Sequence, residues 1–588
     1  VNQTTTTDDR RATFLKYMLR YRRQLFEGFI CLILTQAIGL AGPWVLKLSI
    51  DYITAGTVSP GHLAQYAGLL VAIAVAASVF RYGMRMKMIG ASRDMEYDLR
   101  NDLFQHLEKL SISFFHRMRT GDIMARATND LGYVRNFWGP GVMHLSGAIV
   151  IPFAAALMFV LDAKLAILTL IPVPIVALSV YGLKRAITVR AERRQAQFAE
   201  MTTMAQENFS GIRVVKAYAT EEREVAWFEK ACEEYLRRNM SLVKLDGLLF
   251  PLLGLLVGTM MTIIIAVGGR AAIAGTMTLG DLAAFLSYAM MLMWPTAALG
   301  WVVNLYQTAL AALKRINEIL TEEPEIADTP GVAPDGRIEG AIEFRNVAFQ
   351  YDGQSEPVLK DISFKIPKGS TVAIVGRTGS GKSTLVHLIP RLFDPQRGTL
   401  FIDGRDARKI PLHVLRQNVG FVPQEPFLFS DTIASNIAYG VDGIPDDKVK
   451  NAARISHILE EIEEFPRGIS TRLGERGVNL SGGQKQRITI SRATIKEPKI
   501  LVLDDALSSV DTETEEKILR DFLRVTAGTT TIVISHRIST VKNADVIVVL
   551  EDGKVAEQGS HADLLAQNGI YADMYRRQLL EQEIEDTS

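Results

Sequence analysis

Gly376-Arg377-Thr378-Gly379-Ser380-Gly381-Lys382-Ser383 follows an apolar, β-branched run, Thr371 to Val375, and leads into Thr384-Leu385-Val386-His387-Leu388. A glycine-rich turn between a strand and a helix lets backbone N–H groups converge on phosphate oxygens, and the helix start adds favourable partial charge. The spacing G-x-x-x-x-G-K-[ST] sends Lys382 to the β- and γ-phosphates of a nucleotide and gives the Ser383 hydroxyl to Mg²⁺. The whole run through Thr384 is therefore a candidate ATP-binding loop. The alternative is a glycine turn that only resembles one, and the motifs downstream argue against it.

Ile342 to Tyr351 alternates like a strand, and Tyr351 at its end would stack on an adenine ring or pack at a sheet edge. Gln424 follows the apolar run Val419 to Val422, where its amide would reach Mg²⁺ or the attacking water. Leu480-Ser481-Gly482-Gly483-Gln484 precedes a helical stretch, and small residues at a helix start make a second anion-binding surface. Ile500 to Leu503 reads as a buried strand ending in Asp504, a carboxylate suited to Mg²⁺. Asp505 is placed to orient or deprotonate water. Ser508-Ser509-Val510-Asp511 forms the next loop, and His536 ends the apolar run Thr531 to Ile534, where it would meet a γ-phosphate. One ATP cannot use both anion surfaces if they lie far apart in a domain. Two copies facing head to tail would bring one chain's phosphate loop to the other's Ser481 to Gln484.

The elements that position these residues fall in the second half of a 588-residue chain, too long for one compact domain. Hydrophobic residues make up 48%. Up to about residue 320 long uncharged runs alternate with charged stretches; after 340 the pattern is that of a soluble α/β domain. Formal net charge is zero, so bulk electrostatics favour no nucleic acid. Cys31 and Cys232 imply no disulfide framework. The sequons at Asn2 and Asn208 read as chance matches on cytoplasmic segments.

Six uncharged runs approach or exceed the length of a bilayer span: Gly28–Leu46, Leu63–Phe80, Asn136–Leu161, Leu165–Leu183, Gly247–Gly269 and Leu282–Leu313. The apolar stretch that holds the first run starts only at Leu25, without a cleavage pattern, and reads as a retained span. Lys and Arg crowd the N-terminal segment and the connections Arg81 to Arg135 and Lys184 to Asp246, which puts both termini and both connections in the cytoplasm. Met95, Leu99, Leu103, Leu107 and Leu110 recur at helical spacing, so these connections read as helical hairpins. Their expected tips are Phe114 to Asp122 and Glu207 to Glu222. Met260, Met261, Met290, Met291 and Met293, with Trp294 and Trp301, either pack between helices or line an adaptable cavity. No central carboxylate pair supports proton coupling. Thr321 to Gly340 reads as a linker. The expected organisation is a polytopic α-helical membrane domain over 1–320, a linker over 321–340 and an α/β P-loop NTPase domain over 341–588.

In order, Tyr351, Gly376–Ser383, Gln424, Leu480–Gln484, Asp504/Asp505, Ser508–Asp511 and His536 resemble the motifs of the ATP-binding cassette (ABC) family throughout its nucleotide domain. With six spans ahead of them, the chain resembles an exporter half-transporter of the multidrug and lipid-exporting type. The resemblance implies Mg²⁺ and ATP, a second half-transporter, a small amphipathic substrate and a bacterial cytoplasmic membrane. It makes Asp505, His536 and Gln424 catalytic, and assigns Tyr351, the loop 376–384, Ser481–Gln484 and Asp511 to nucleotide. It likens Arg119–Asp122 and Gly211–Glu222 to the family's coupling loops, and Gly474–Gly477 to its cross-linking loop. One position departs: the family usually has Glu where Asp505 stands. A carboxylate one methylene short resembles the weakened site of heterodimeric exporters, which favours a heterodimer over a homodimer. It also motivates another reading, an ATP-clamped channel or regulatory subunit with little turnover.

Overall fold

The structure is a computed structural model that describes residues 15–56, 58–145, 147–328, 337–441, 443–507, 515, 517–518 and 528–587. Side chains at a few further positions within its helices, Trp294 among them, are not described. The chain divides into two compact units, one of 1–108 with 120–322 and the other of 109–119 with 323–588.

The first unit is helical throughout. Among the described residues four helices are long and apolar enough to cross a membrane: Arg22–Thr54, Pro60–Leu107, Thr120–Leu161 and Gly254–Ile273. Ala163–Ile175 and Leu279–Met293 are apolar but shorter. Of the six expected spans, four correspond to helices of that kind, and the stretches Ala163–Ile175 and Leu279–Met293 fall short of that length. A polytopic membrane domain follows, because a helix satisfies its own backbone where no water can.

The charged connections are continuations of these helices, as their periodicity predicts. Pro60–Leu107 is one helix of 48 residues, started by Ser59, whose side chain accepts from the His62 N–H. Pro172–Ser210 and Glu221–Asp246 flank a short helix, Ile212–Ala217, within the tip expected over 207–222. Leu279–Leu320 starts from a capping box made by Thr278 and Asp281. Phe285 and Tyr288 are buried against Ala154, Met158 and Met260, and the Tyr288 hydroxyl donates to Leu40 O at 3.0 Å. The methionine set splits: Met260 is in this core, whereas Met290, Met293 and Trp301 are exposed.

The second unit is built on two sheets. An antiparallel sheet has the order β2-β1-β4-β5, with β1 Ile342–Phe349, β2 Leu359–Ile366, β4 Leu400–Ile402 and β5 Arg405–Asp406. The other has the order β10-β9-β3-β8-β7-β6, with β3 Thr371–Gly376, β6 Val419–Val422, β7 Ile500–Asp504, β8 Thr530–Ile534, β9 Val546–Glu551 and β10 Lys554–Gly559. Its pairs are parallel except β9 with β10. The buried, β-branched runs of β3, β7 and β8 suit strands covered on both faces. Because β3, β7 and β8 run the same way, the phosphate loop, Asp504 and His536 all leave one edge of the sheet.

Segment 109–119 carries a helix, Ile112–Arg117, that packs within this unit. Ile112 lies against the core of β1, β2 and β3, and the His116 ring centroid is 6.1 Å from that of Phe393. The break between the long helices lies at 108–119, so the expected tip Phe114 to Asp122 holds as far as Arg119, while Thr120–Ala125 is already helical again.

Candidate nucleotide site

Gly376 ends β3 with φ 153° and Gly381 opens the helix Lys382–His387 with φ 98°. A Cβ at Gly376 would run into the Leu550 carbonyl oxygen, and one at Gly381 would lie 2.8 Å from Leu359 Cδ2. Only glycine fits there on both counts. Lys382 is 6% exposed, and its ammonium donates to the carbonyls of Gly376 and Arg377, both at 2.9 Å. Burial lowers its pKa, opposed by the charges of Asp504 and Asp505. Ser380 Oγ is buried with no hydrogen-bond partner among the described residues. A buried orphan hydroxyl within a glycine-rich loop at a helix start fits an anion that would satisfy it.

Ser383 Oγ donates to Asp504 Oδ1 at 3.0 Å. Burial pushes the Asp504 carboxyl above its usual range, against the Ser383 hydrogen bond, and the charge of Asp505 adds to the rise. A hydroxyl beside a buried carboxylate is a hard-oxygen donor pair suited to Mg²⁺, which takes few protein ligands and completes its shell with phosphate and water.

Asp505 has φ 48° and donates its backbone N–H to Ile534 O at 3.0 Å. Gln424 Nε2 lies 3.5 Å from Asp505 Oδ2. His536 is exposed, two residues past the end of β8. The register that pairs Asp504 with Ile534 brings the exits of β7 and β8 together, and with them Asp505 and His536. Tyr351 stands two residues beyond β1, its hydroxyl 3.0 Å from Thr384 Oγ1 and its ring edge-on to Phe349 and Phe393. Asp511 and the rest of Ser508–Asp511 lie outside the described residues.

Ser481, Gly482, Gly483 and Gln484 sit elsewhere in the unit. The helix Gly482–Thr494 opens with a capping box in which Ser481 Oγ accepts from the Gln484 N–H at 3.2 Å and Gln484 Oε1 accepts from the Ser481 N–H at 3.0 Å. Leu480 and Ile488 pack with Ile433, Val449 and Ile462 in a hydrophobic cluster distinct from the one holding Leu385 and Val386 of the phosphate-loop helix. The helix start was expected from its small residues; the capping box and what anchors it were not. Gln484 Nε2 donates to Glu461 at 2.9 Å, and Arg487 pairs with the same carboxylate at 2.5 Å. Glu461 and the buried Glu515 are the residues here that sequence reasoning passed over, because an acidic side chain in a charged stretch carries no local signal.

Comparison with known proteins agrees with this geometry. Residues 25–296 match the family model of the ABC transporter transmembrane region, and residues 359–508 match the ABC transporter model. The chain is 37% identical to the probable multidrug resistance ABC transporter ATP-binding/permease protein YheI of Bacillus subtilis, over 96% of each. It is 35% identical to the multidrug resistance-like ATP-binding protein MdlA of Escherichia coli, over 97% of each. A solved bacterial Atm1-family ABC exporter with ATP bound superposes with a TM-score of 0.78 at 31% identity, covering 95% of this chain and 98% of that one. With a helical membrane region and a phosphate-loop domain on one polypeptide, the chain belongs to the ABC transporter family.

Proposed function

We propose that the chain is one half of a dimeric exporter that hydrolyses ATP to move an amphipathic or hydrophobic substrate, a drug, lipid or peptide, across a bacterial cytoplasmic membrane by alternating access. The observation that carries this reading is the convergence of Lys382, Ser383 and Asp504 at one sheet edge in a chain that also supplies long apolar helices. The multidrug names of YheI and MdlA support the substrate class. On this reading the membrane domain spans 1–320 with six helices and both termini cytoplasmic, the shorter apolar stretches being taken as the remaining two spans. A linker, 321–340, leads to the nucleotide domain, 341–588.

In the working assembly Lys382 would exchange its two carbonyl partners for phosphate oxygens. Ser383 and Asp504, with Gln424, would hold Mg²⁺, which would neutralise charge on the phosphates. Asp505 would orient and deprotonate the attacking water, and His536 would hold the γ-phosphate end. Tyr351 would flank the base. This chain's Ser481 to Gln484, with Asp511, would close the facing half's site, and the facing half would close this one. ATP that binds the closed pair better than the open one shifts the population toward closure, and hydrolysis removes that bias. Asp505 favours a heterodimer whose second half supplies the stronger base. It equally supports a second reading, an ATP-clamped channel or regulator. Reconstitution into liposomes decides between them. The exporter reading expects Mg²⁺-dependent ATPase and ATP-driven substrate movement, both lost in Lys382→Ala; tight ATP binding without movement favours the second reading.

A further inference from the structure

Glu515 is 3% exposed, and its carboxylate accepts hydrogen bonds from Arg537 Nη1 and Thr540 Oγ1. Both donors belong to the segment that follows β8 and carries His536. Glu515 itself follows β7 and Asp505 in the chain. One buried carboxylate therefore joins the two stretches that leave the neighbouring strands β7 and β8. Burying a carboxylate is unfavourable unless it is paired and hydrogen-bonded, so the contact holds all three side chains in place.

His536 lies between two fixed points. Ser535 Oγ accepts from the Arg537 N–H at 3.0 Å, and the Arg537 guanidinium is tied to Glu515. The His536 side chain is exposed beyond them. Asp505 is held from the other side by its N–H bond to Ile534 O. Asp505, His536, Glu515, Arg537 and Thr540 line one small cavity of about 80 Å³. We propose that Glu515 is a positioning residue for ATP hydrolysis. By anchoring Arg537 and Thr540 it sets His536 against Asp505 without touching nucleotide. The proposal rests on the ATPase reading above. It differs from a merely structural ion pair in that its effect must pass through His536.

The test uses the full-length assembly in liposomes with the facing half's own phosphate loop inactivated, so that ATPase kinetics and ATP affinity, measured on the same preparations, report this chain's site. Glu515→Gln keeps the volume and an acceptor but removes the charge that pairs with Arg537. Because a misplacement of about 1 Å costs on the order of 100-fold in rate, kcat should fall by about 10- to 100-fold while KM for ATP stays within about twofold. Glu515→Gln combined with His536→Ala should be no slower than His536→Ala alone. An unchanged kcat, or losses that multiply in the double variant, would overturn the proposal. If Glu515→Gln does not fold, Thr540→Val, which leaves the ion pair, carries the same comparison: a kcat loss that vanishes on the His536→Ala background supports the proposal, and one that persists or never occurs defeats it. A wild-type assembly without ATPase would instead defeat the ATPase reading and this proposal together.

Discussion

Ser383 donates its hydroxyl to the buried Asp504 carboxylate across 3.0 Å, joining the start of the phosphate-loop helix to the end of β7. The two residues are far apart in the chain and meet because β3 and β7 run parallel in one sheet. Burial raises the Asp504 pKa above its ordinary 3.8. A group raised on folding contributes stability that is fully present below the unfolded value and is lost as pH rises through the folded one. At neutral pH without nucleotide, Asp504 therefore opposes folding. Asp504→Asn, which still accepts from Ser383, is expected to raise the melting temperature at pH 7 by a few degrees and to lose that advantage below pH 3.8. The same variant should abolish Mg²⁺-dependent ATPase. Calorimetry across pH with parallel ATPase assays checks both.

Asp505→Glu restores the missing methylene. If reach limits the reaction, kcat should rise by about 10- to 100-fold. The backbone there is left-handed, φ 48°, a conformation that Asp adopts more readily than Glu. A small loss of thermal stability should accompany the gain. An unchanged kcat would show that the shorter carboxylate is not what limits turnover.

Glu461 holds Gln484 and Arg487 behind the capping box. Burial pushes its carboxyl up, but the hydrogen bonds from Arg487 and Gln484 outweigh this and leave its pKa lowered. Its contribution to stability is thus present above the ordinary value of 4.5 and fades as pH falls below it. Glu461→Ala should weaken steady-state ATPase about tenfold, the cost of about 1.4 kcal/mol at the Ser481 to Gln484 surface. ATP binding at this chain's own phosphate loop should be unchanged. Photolabelling of the loop alongside turnover separates the two.

Arg315 makes two hydrogen bonds to Asp130, at 2.8 and 2.5 Å, and Asp130 is 5% exposed. Asp130 is buried but the Arg315 side chain is 43% exposed, so removing Arg315 leaves a carboxylate that water can partly reach, at about 1–3 kcal/mol. Arg315→Ala should therefore destabilise the membrane unit more than the double variant Arg315→Ala with Asp130→Asn. Thermal unfolding in detergent, read as a double-mutant cycle, should give a favourable coupling between the two.

The sequence by itself determined the chemistry and its order. A glycine needed for left-handed backbone, a lysine and hydroxyl at a helix start, and carboxylates at the end of an apolar strand are local patterns, readable from spacing because the strand, turn and helix that present them are local too. The helical nature of the charged connections was equally legible, since helical periodicity survives outside the membrane. Only the tertiary structure decided who holds these groups. Ser383 meets Asp504, and Glu515 meets Arg537 and Thr540, because strand order sets which exits are neighbours, and sheet order is a long-range outcome that no window of sequence encodes. It also decided that 109–119 packs with the nucleotide unit and that Met260 is buried while Met290 and Met293 are not. Burial depends on which helix faces which, and uniformly apolar helices carry little local pattern to say so.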